Sequence, residues 1–303
     1  MIQVRELSKT FGAFKAINNI SFNVKKGEIF GLLGPNGAGK STLINIMSSV
    51  IKADLGTISL NGIGLSTHTN ESKSIIGIVP QEISLYENFS AYENLKFFGK
   101  LYGIDKAVLK KRMEEILKLI GLENRKNDLI KTYSGGMKRR INIAAALLHK
   151  PKILLMDEPT VGVDPQSRNQ IFEVVEQLNK QGVTIIYTTH YMEEVVRLCN
   201  TIAIMDNGKI IAQGTLEELQ NQTKSNDQVE IVFEEIKVEQ KEAIIKEFSF
   251  PITFQNNKMK STCDLNKILT YCVRNQIEIN GIHQEKVTLE NIFLELTGKS
   301  LRD

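Results

Sequence analysis

The stretch Gly34-Pro35-Asn36-Gly37-Ala38-Gly39-Lys40-Ser41-Thr42 brings together the residue types that hold phosphate. A glycine-rich turn aims successive backbone N–H groups inward, and a helix starting behind it adds positive potential. Gly34, Gly37 and Gly39 allow positive φ and leave no Cβ to block the phosphates. Lys40 is long enough to reach the β- and γ-phosphates of a nucleotide, and the Ser41 hydroxyl suits Mg²⁺, a hard cation that prefers oxygen. Further along, Lys152–Glu158 reads as an apolar strand ending in two carboxylates, at the strand end where open α/β sheets bind ligands. Asp157 is suited to hold Mg²⁺ and Glu158 to take a proton from water. His190 follows the strand Val183–Thr188, expected to run parallel to that of Asp157, which would bring the imidazole near the γ-phosphate. Tyr133-Ser134-Gly135-Gly136-Met137 opens another helix, with Ser134 as its N-cap, and offers a second anion site. Phe11, beside the cradle, is suited to stack on an adenine base. Each feature has an ordinary reading when met alone: a βα turn, an acidic loop, a surface histidine, an aromatic packed at an edge. Together they point to phosphate chemistry.

The elements that must position these residues are legible in outline. Residues 2–8, 14–24 and 57–61 read as strands of a small antiparallel sheet, with Phe11 in the loop after the first. Gly27–Leu33 is a buried strand before the cradle, and Lys40–Met47 a helix after it. Ser74–Val79 reads as a strand ending at Pro80-Gln81. Tyr92–Tyr102 and Asp105–Ile120 carry apolar residues at helical spacing, so a helical insertion interrupts the α/β pattern. The helix opened by Ser134 runs through Leu148, and Pro165–Lys180 is another. Ile202–Met205 and Lys209–Ala212 form a hairpin around Asn207-Gly208. Asn221–Gln228 is polar and reads as a linker. Beyond it, Val229–Phe233, Ile252–Gln255 and Ile277–Ile282 alternate with helical patterns at Lys237–Phe248, Leu265–Asn275 and Thr288–Thr297, giving a small α+β domain that gains stability by packing.

Composition bounds the rest. The chain has 303 residues, 42% hydrophobic and 24% charged, as in soluble globular proteins, and its net charge of +3 gives no case for nucleic acid. Lys110-Lys111-Arg112 and Lys138-Arg139-Arg140 fall in helical patterns and read as solvated faces. Cys199, Cys263 and Cys272 show no metal spacing and read as thiols of a reducing compartment. His68, His149 and His283 have no chemical context. Met1 leads straight into a strand, so no signal peptide is expected. No apolar run approaches the ~18 residues of a membrane span.

These motifs resemble the ATP-binding subunits of ABC transporters, over Met1 to about Gln222. The resemblance implies an α/β fold: a P-loop NTPase core with an antiparallel β subdomain and a helical subdomain at about residues 82–150. Residues 1–222 would be the ATP-binding domain and 223–303 a small accessory α+β domain. It matches Phe11 to the adenine-stacking aromatic and Gly34–Thr42 to the Walker A motif. Gln81 matches the Q-loop glutamine, which meets Mg²⁺ and responds to the membrane partner. Tyr133–Met137 stands for the signature LSGGQ, with its end residues changed but the γ-phosphate contacts Ser134, Gly135 and Gly136 kept. Asp157 matches the Walker B aspartate, Glu158 the catalytic glutamate, Asp164 the D-loop aspartate and His190 the switch histidine. YSGGMKRR, DEPTVGVDP and the tail Thr288–Gly298 are similar to bacterial subunits that export drugs, antibiotics or sodium.

The resemblance implies ATP and Mg²⁺ as ligands, a separate transmembrane permease, and a second copy of the chain joined head-to-tail by ATP. Ser41, Gln81 and Asp157 would hold the metal, and Lys40, Gln81, Glu158 and His190 would serve catalysis. No arginine stands out as a finger; the helix start after Gly136 would supply equivalent potential to ATP on the other copy. The chain would sit on the inner face of the cell membrane through the permease. A soluble ABC ATPase acting on the ribosome or DNA would share the core but usually carries two cassettes or a long coiled coil. A small-molecule kinase would share Gly34–Thr42 but has no use for Ser134–Met137 or His190.

Overall fold

The computed structural model describes residues 1–65, 69–222, 228–261, 265–285 and 288–298. The chain divides into two compact units that part between Leu216 and Glu217. In the first, strands β1 (Ile2–Phe11) and β2 (Phe14–Val24) pair antiparallel across Gly12-Ala13. Pairing continues to Phe11 opposite Phe14, so Phe11 ends the strand rather than lying in the loop beyond it. A two-residue turn with Gly12 at φ 58° lets pairing reach the tip, although the register shifts between Val4 and Thr10. Next come β3 (Ile29–Leu33), α1 (Lys40–Met47), β4 (Leu55–Leu60) and β5 (Ile63–Gly64). They are followed by α2 (Thr69–Ser74), β6 (Ile76–Val79), α3 (Ala91–Leu101), α4 (Lys106–Leu119) and α5 (Gly135–Leu147). The unit ends with β7 (Ile153–Asp157), α6 (Pro165–Lys180), β8 (Thr184–Thr189), α7 (Met192–Leu198), β9 (Thr201–Asp206) and β10 (Lys209–Gly214).

Two sheets organise this unit. One is antiparallel, in the order β2-β1-β4-β5; the other runs β10-β9-β3-β8-β7-β6 and is parallel except for its β10 edge. Every residue of β3, β7 and β8 is buried, as expected of parallel strands covered on both faces. Alternate side chains divide between two cores. Phe30, Leu32 and Leu155 pack with Leu43, Ile44 and Met47 of α1, while Leu154 and Met156 face the cluster built by α3, α4, α5 and α6. The helical insertion starts at well-made caps. Ser90 and Glu93 form a reciprocal capping box on α3, and Asp105 accepts from the amides of Ala107 and Val108 on α4.

The boundary falls within the first turn of α8 (Leu216–Gln222), so Asn221 and Gln222 are helical rather than part of a linker. The second unit continues with β11 (Gln228–Phe233), α9 (Val238–Glu247), β12 (Ile252–Gln255), β13 (Lys258–Ser261), α10 (Leu265–Arg274), β14 (Ile279–Glu285) and α11 (Leu289–Thr297). Its four strands form an antiparallel sheet in the order β12-β13-β11-β14. Val229, Ile231, Phe233, Ile244, Met259 and Ile268 fill its core. Strand β13, whose Lys-Met-Lys-Ser sequence buries only alternate residues, does not stand out in the sequence; it is made by the turn at Asn256, φ 52°, that folds it back on β12.

The expectation of solvated faces holds for Lys110 and Lys111, which are exposed on α4, but not for the arginines. Arg139 and Arg140 are 4% and 7% exposed, not solvated, and the Arg112 guanidinium turns inward to the Leu148 carbonyl at 2.7 Å. From Arg139 to Leu147 every residue of α5 is buried, so charge on that helix goes inside with it. Cys272 is buried and Cys199 largely so, while Cys263 lies outside the described residues.

Candidate functional site

Strand order decides what meets what. Leu33 pairs with Thr189, Asp157 with Thr188, and Val79 with Met156, so β3, β8, β7 and β6 end along one edge of the parallel sheet. Gly34, His190, Glu158 and Pro80-Gln81 each leave the sheet at that edge, where open α/β sheets place their ligand sites.

The loop Gly34–Gly39 feeds directly into α1, with Gly39 as its N-cap at φ 105°. Gly37 is also at positive φ, but Gly34 is not; a Cβ there would lie 2.3 Å from the Met205 carbonyl oxygen. Close packing, not backbone hand, requires that glycine. The Gly34 amide donates to the Thr189 carbonyl at 3.3 Å and the Gly208 amide to that of Ala38 at 3.0 Å, which ties the loop to β8 and to the β9–β10 turn. Pro35, Asn36, Ser41 and Thr42 complete the loop and the first turn of α1.

Lys40 is 4% exposed and points back over its own loop, donating to Gly34 O at 2.7 Å and Pro35 O at 3.1 Å. Its ammonium also lies 3.0 Å from Glu158 Oε1. The other oxygen of Glu158 accepts from Gln81 Nε2 at 3.4 Å and stands 3.3 Å from His190 Nδ1, in a geometry bent away from a hydrogen bond. Lysine, glutamine and histidine thus converge on one carboxylate. The Glu158 backbone is held at φ 45°, with its amide shared between the Thr188 carbonyl and hydroxyl at 3.2 and 3.0 Å. Left-handed backbone is uncommon for glutamate and marks a conformation imposed by its surroundings. Asp157 is 7% exposed and accepts from the Thr188 hydroxyl at 2.7 Å.

Phe11 is 47% exposed at the β1–β2 tip, with the Lys9 ammonium 5.4 Å from its ring centre. The second anion-site candidate lies at the start of α5. The Ser134 hydroxyl caps that helix by accepting from the Met137 amide at 3.3 Å. A Cβ at Gly135 would meet nothing closer than 3.8 Å, whereas one at Gly136 would lie 2.2 Å from Ser167. Gly136 therefore lets α5 approach α6. Asp164 caps α6 by accepting from the Ser167 amide at 2.9 Å, and that bond lowers its pKa. The Tyr133 hydroxyl donates to the Arg125 carbonyl at 2.6 Å.

Arg139 does not stand out in the sequence. Its guanidinium donates to the carbonyls of Pro80 at 2.8 Å and Gln81 at 2.6 Å, so α5 carries the backbone from which Gln81 reaches Glu158. Burial lowers its pKa. The nearly all-apolar run Ile141–Leu148 was the available signal, since an arginine two residues before it is drawn inside.

Comparisons with known proteins agree with this arrangement. The ABC transporter family profile matches residues 17–161. The chain is 43% identical to the linearmycin resistance ATP-binding protein LnrL of Bacillus subtilis (strain 168), over 100% of both chains. It is 34% identical to the Nod factor export ATP-binding protein I of Ralstonia nicotianae (strain ATCC BAA-1114 / GMI1000), over 100% of this chain and 95% of that one. A solved dimeric ATP-binding cassette in a post-hydrolysis state, bound to ADP and phosphate, superposes with a TM-score of 0.64 at 28% identity, covering 71% of this chain and 99% of that one. With the cradle, the strand-end carboxylates and the capped second glycine turn in one unit, the chain belongs to the ATP-binding subunits of ABC transporters, binding ATP and hydrolysing it.

Proposed function

We propose that this subunit drives export of a small molecule, of the drug or antibiotic kind, through a separate permease. Its relatives named for linearmycin resistance and Nod factor export, matched over 100% and 95% of their lengths, support export over work on the ribosome or DNA. No helix among the described residues is long and apolar enough to cross a membrane. In this reading the permease supplies the path, and the chain works on the cytoplasmic face.

The observation that carries the site assignment is the contact of Lys40 with Glu158 at the end of β7. A triphosphate in the cradle offers the ammonium denser negative charge than two carbonyls and one carboxylate. When Lys40 turns to the β- and γ-phosphates, Glu158 loses its counter-charge and becomes free to accept a proton from water. Gln81 and His190, already at that carboxylate, hold the water and the γ-phosphate in line. Phe11 stacks on the base. The residues fit Mg²⁺: Asp157 offers one carboxylate, Ser41 a hydroxyl and Gln81 an amide oxygen. Among the described residues no cluster of three or more acidic, His or Cys side chains forms a cage, and Mg²⁺ is usually held by one or two carboxylates and the substrate's phosphates. Bound there, the ion neutralises phosphate charge.

Ser134, Gly135 and Gly136 serve the γ-phosphate of a second copy, with Asp164 at the seam, and a two-fold dimer makes two such sites. The expected outcome for Glu158→Gln is ATP binding with turnover reduced by roughly 10²-fold or more, because the shape stays and proton acceptance goes. Phosphate release and nucleotide binding, measured side by side, read the two effects. Wild-type turnover in that variant would remove Glu158 from the role of base.

A further inference from the structure

A buried carboxylate stands behind the site and has no part in the roles above. Glu194, on α7, is 1% exposed and accepts from three hydroxyls: Thr160 Oγ1 at 2.6 Å, Thr189 Oγ1 at 2.8 Å and the Tyr187 hydroxyl at 3.0 Å. The Arg168 Nε lies 3.8 Å away, too far for a hydrogen bond. A carboxylate taken out of water is costly when the nearby cation, the Arg168 guanidinium, makes no hydrogen bond to it, and an apolar side chain would fill the space with less loss. What the charge gains is direction. An ionised carboxylate only accepts, so all three hydroxyls must point at it, whereas a neutral amide would turn one of them round.

Those hydroxyls come from the segments that carry the chemistry. Thr160 stands two residues after Glu158, and Thr189 immediately precedes His190. The Thr189 oxygen also accepts from the Tyr191 amide at 3.0 Å, which secures the chain on both sides of His190. The Tyr191 ring then lies against the imidazole, with 4.1 Å between ring centres, and the Arg168 guanidinium covers it from 5.1 Å.

We propose that Glu194 is a positioning residue: it ties the loop after Glu158 to the residues flanking His190, and so sets where the imidazole stands relative to the Glu158 carboxylate. The proposal rests on the reading of Glu158 and His190 given above.

The test uses the full chain with Thr160→Val, which keeps the side chain's volume but removes its link to Glu194, together with Thr160→Ser and Glu194→Gln. The protein has four histidines, so the His190 imidazole signal in a nitrogen-correlated NMR spectrum is assigned by its loss in His190→Gln. Thr160→Val is expected to move that signal and leave the other three in place. It should also lower kcat by roughly tenfold, as small misplacements at a reacting centre do, while the KM for ATP stays within about twofold. Thr160→Ser restores the signal and the rate, and Glu194→Gln behaves like Thr160→Val. An unmoved His190 signal in folded Thr160→Val overturns the proposal, whatever the stability of Glu194→Gln. Wild-type turnover in Glu158→Gln would instead remove the active-site reading, while the His190 signal would still report whether Glu194 holds the imidazole.

Discussion

Lys40 and Glu158 are each about 5% exposed at the side chain and 3.0 Å apart, so neither can be removed without leaving the other buried and uncompensated. Truncating one partner of such a pair costs ~3–5 kcal/mol of stability. Lys40→Ala is therefore expected to lose thermal stability as well as ATP, and its binding loss has to be read at a temperature where it is folded. Glu158→Gln keeps an acceptor for Lys40 but not its counter-charge, so its turnover too has to be read where it is folded. His149 makes a different point about single residues. Its Nε2 lies 2.8 Å from the Ile76 carbonyl and so carries the proton, while Nδ1 is buried without a hydrogen-bond partner among the described residues. Burial, first, and the nearby Arg112 charge hold its pKa below the ordinary 6.5. A histidine with a depressed folded pKa binds fewer protons folded than unfolded. Its stabilising contribution is complete above pH 6.5 and is lost as the pH falls through the lower folded value. His149→Gln should accordingly flatten the decline of the unfolding midpoint between neutral and mildly acidic pH. Parallel curves for the two proteins would show that His149 does not contribute.

At the scale of elements, the approach of α5 to α6 depends on one missing carbon. A Cβ at Gly136 would lie 2.2 Å from both the Cβ and Oγ of Ser167. Gly136→Ala is expected to destabilise the protein by ~1–3 kcal/mol through overpacking, and adding Ser167→Gly should recover most of that, since the two sites share one clash. Gly135→Ala, with open space around it, should leave the unfolding midpoint alone. Calorimetry on the three variants reads all of these, and an unshifted midpoint in Gly136→Ala would deny the close approach. This is also the scale at which sequence and fold agree and part. The bounds of α6 are readable because Asp164 and Pro165 are chemical start signals. The strand ends that carry Glu158 and His190 are readable because apolar runs give way abruptly to polar residues. The tie from Arg139 to Pro80 and Gln81, and the meeting of Thr160, Tyr187 and Thr189 on Glu194, are not readable. Arg139 meets backbone carbonyls 58 and 59 residues away and Thr160 lies 34 residues from Glu194, while Tyr187 and Thr189 reach Glu194 only through the turn from β8 into α7, which has no periodic signal.

For the whole molecule, the proposed reading has the two candidate anion-binding turns of one unit serve the same γ-phosphate across two copies. A Glu158→Gln protein that also carries Ser134→Arg is expected to bind ATP yet remain monomeric in sedimentation with ATP and Mg²⁺, where Glu158→Gln alone dimerises. Mixing chains mutated only at Ser134 with chains mutated only at Lys40 should leave one site with both elements and one with neither. A Glu158→Gln protein that stays monomeric with ATP at high concentration, even with its permease, would rule out the shared site. Its two-fold geometry is read by crosslinking position 134 of one copy to position 37 of the other.

The place of β3 in its sheet has a consequence for how the protein comes into being. Both neighbours of β3, β8 and β9, are made from Thr184–Asp206, long after the cradle at Gly34–Thr42 has left the ribosome. Until then the strand that aims the loop has no partner on either side, and pairing between such distant segments is slow. The nucleotide therefore cannot template the early folding of its own site. The growing chain must keep an apolar strand, Ile-Phe-Gly-Leu-Leu, unpaired through most of the synthesis of its first unit, and that interval is when chaperone binding or aggregation would decide its yield.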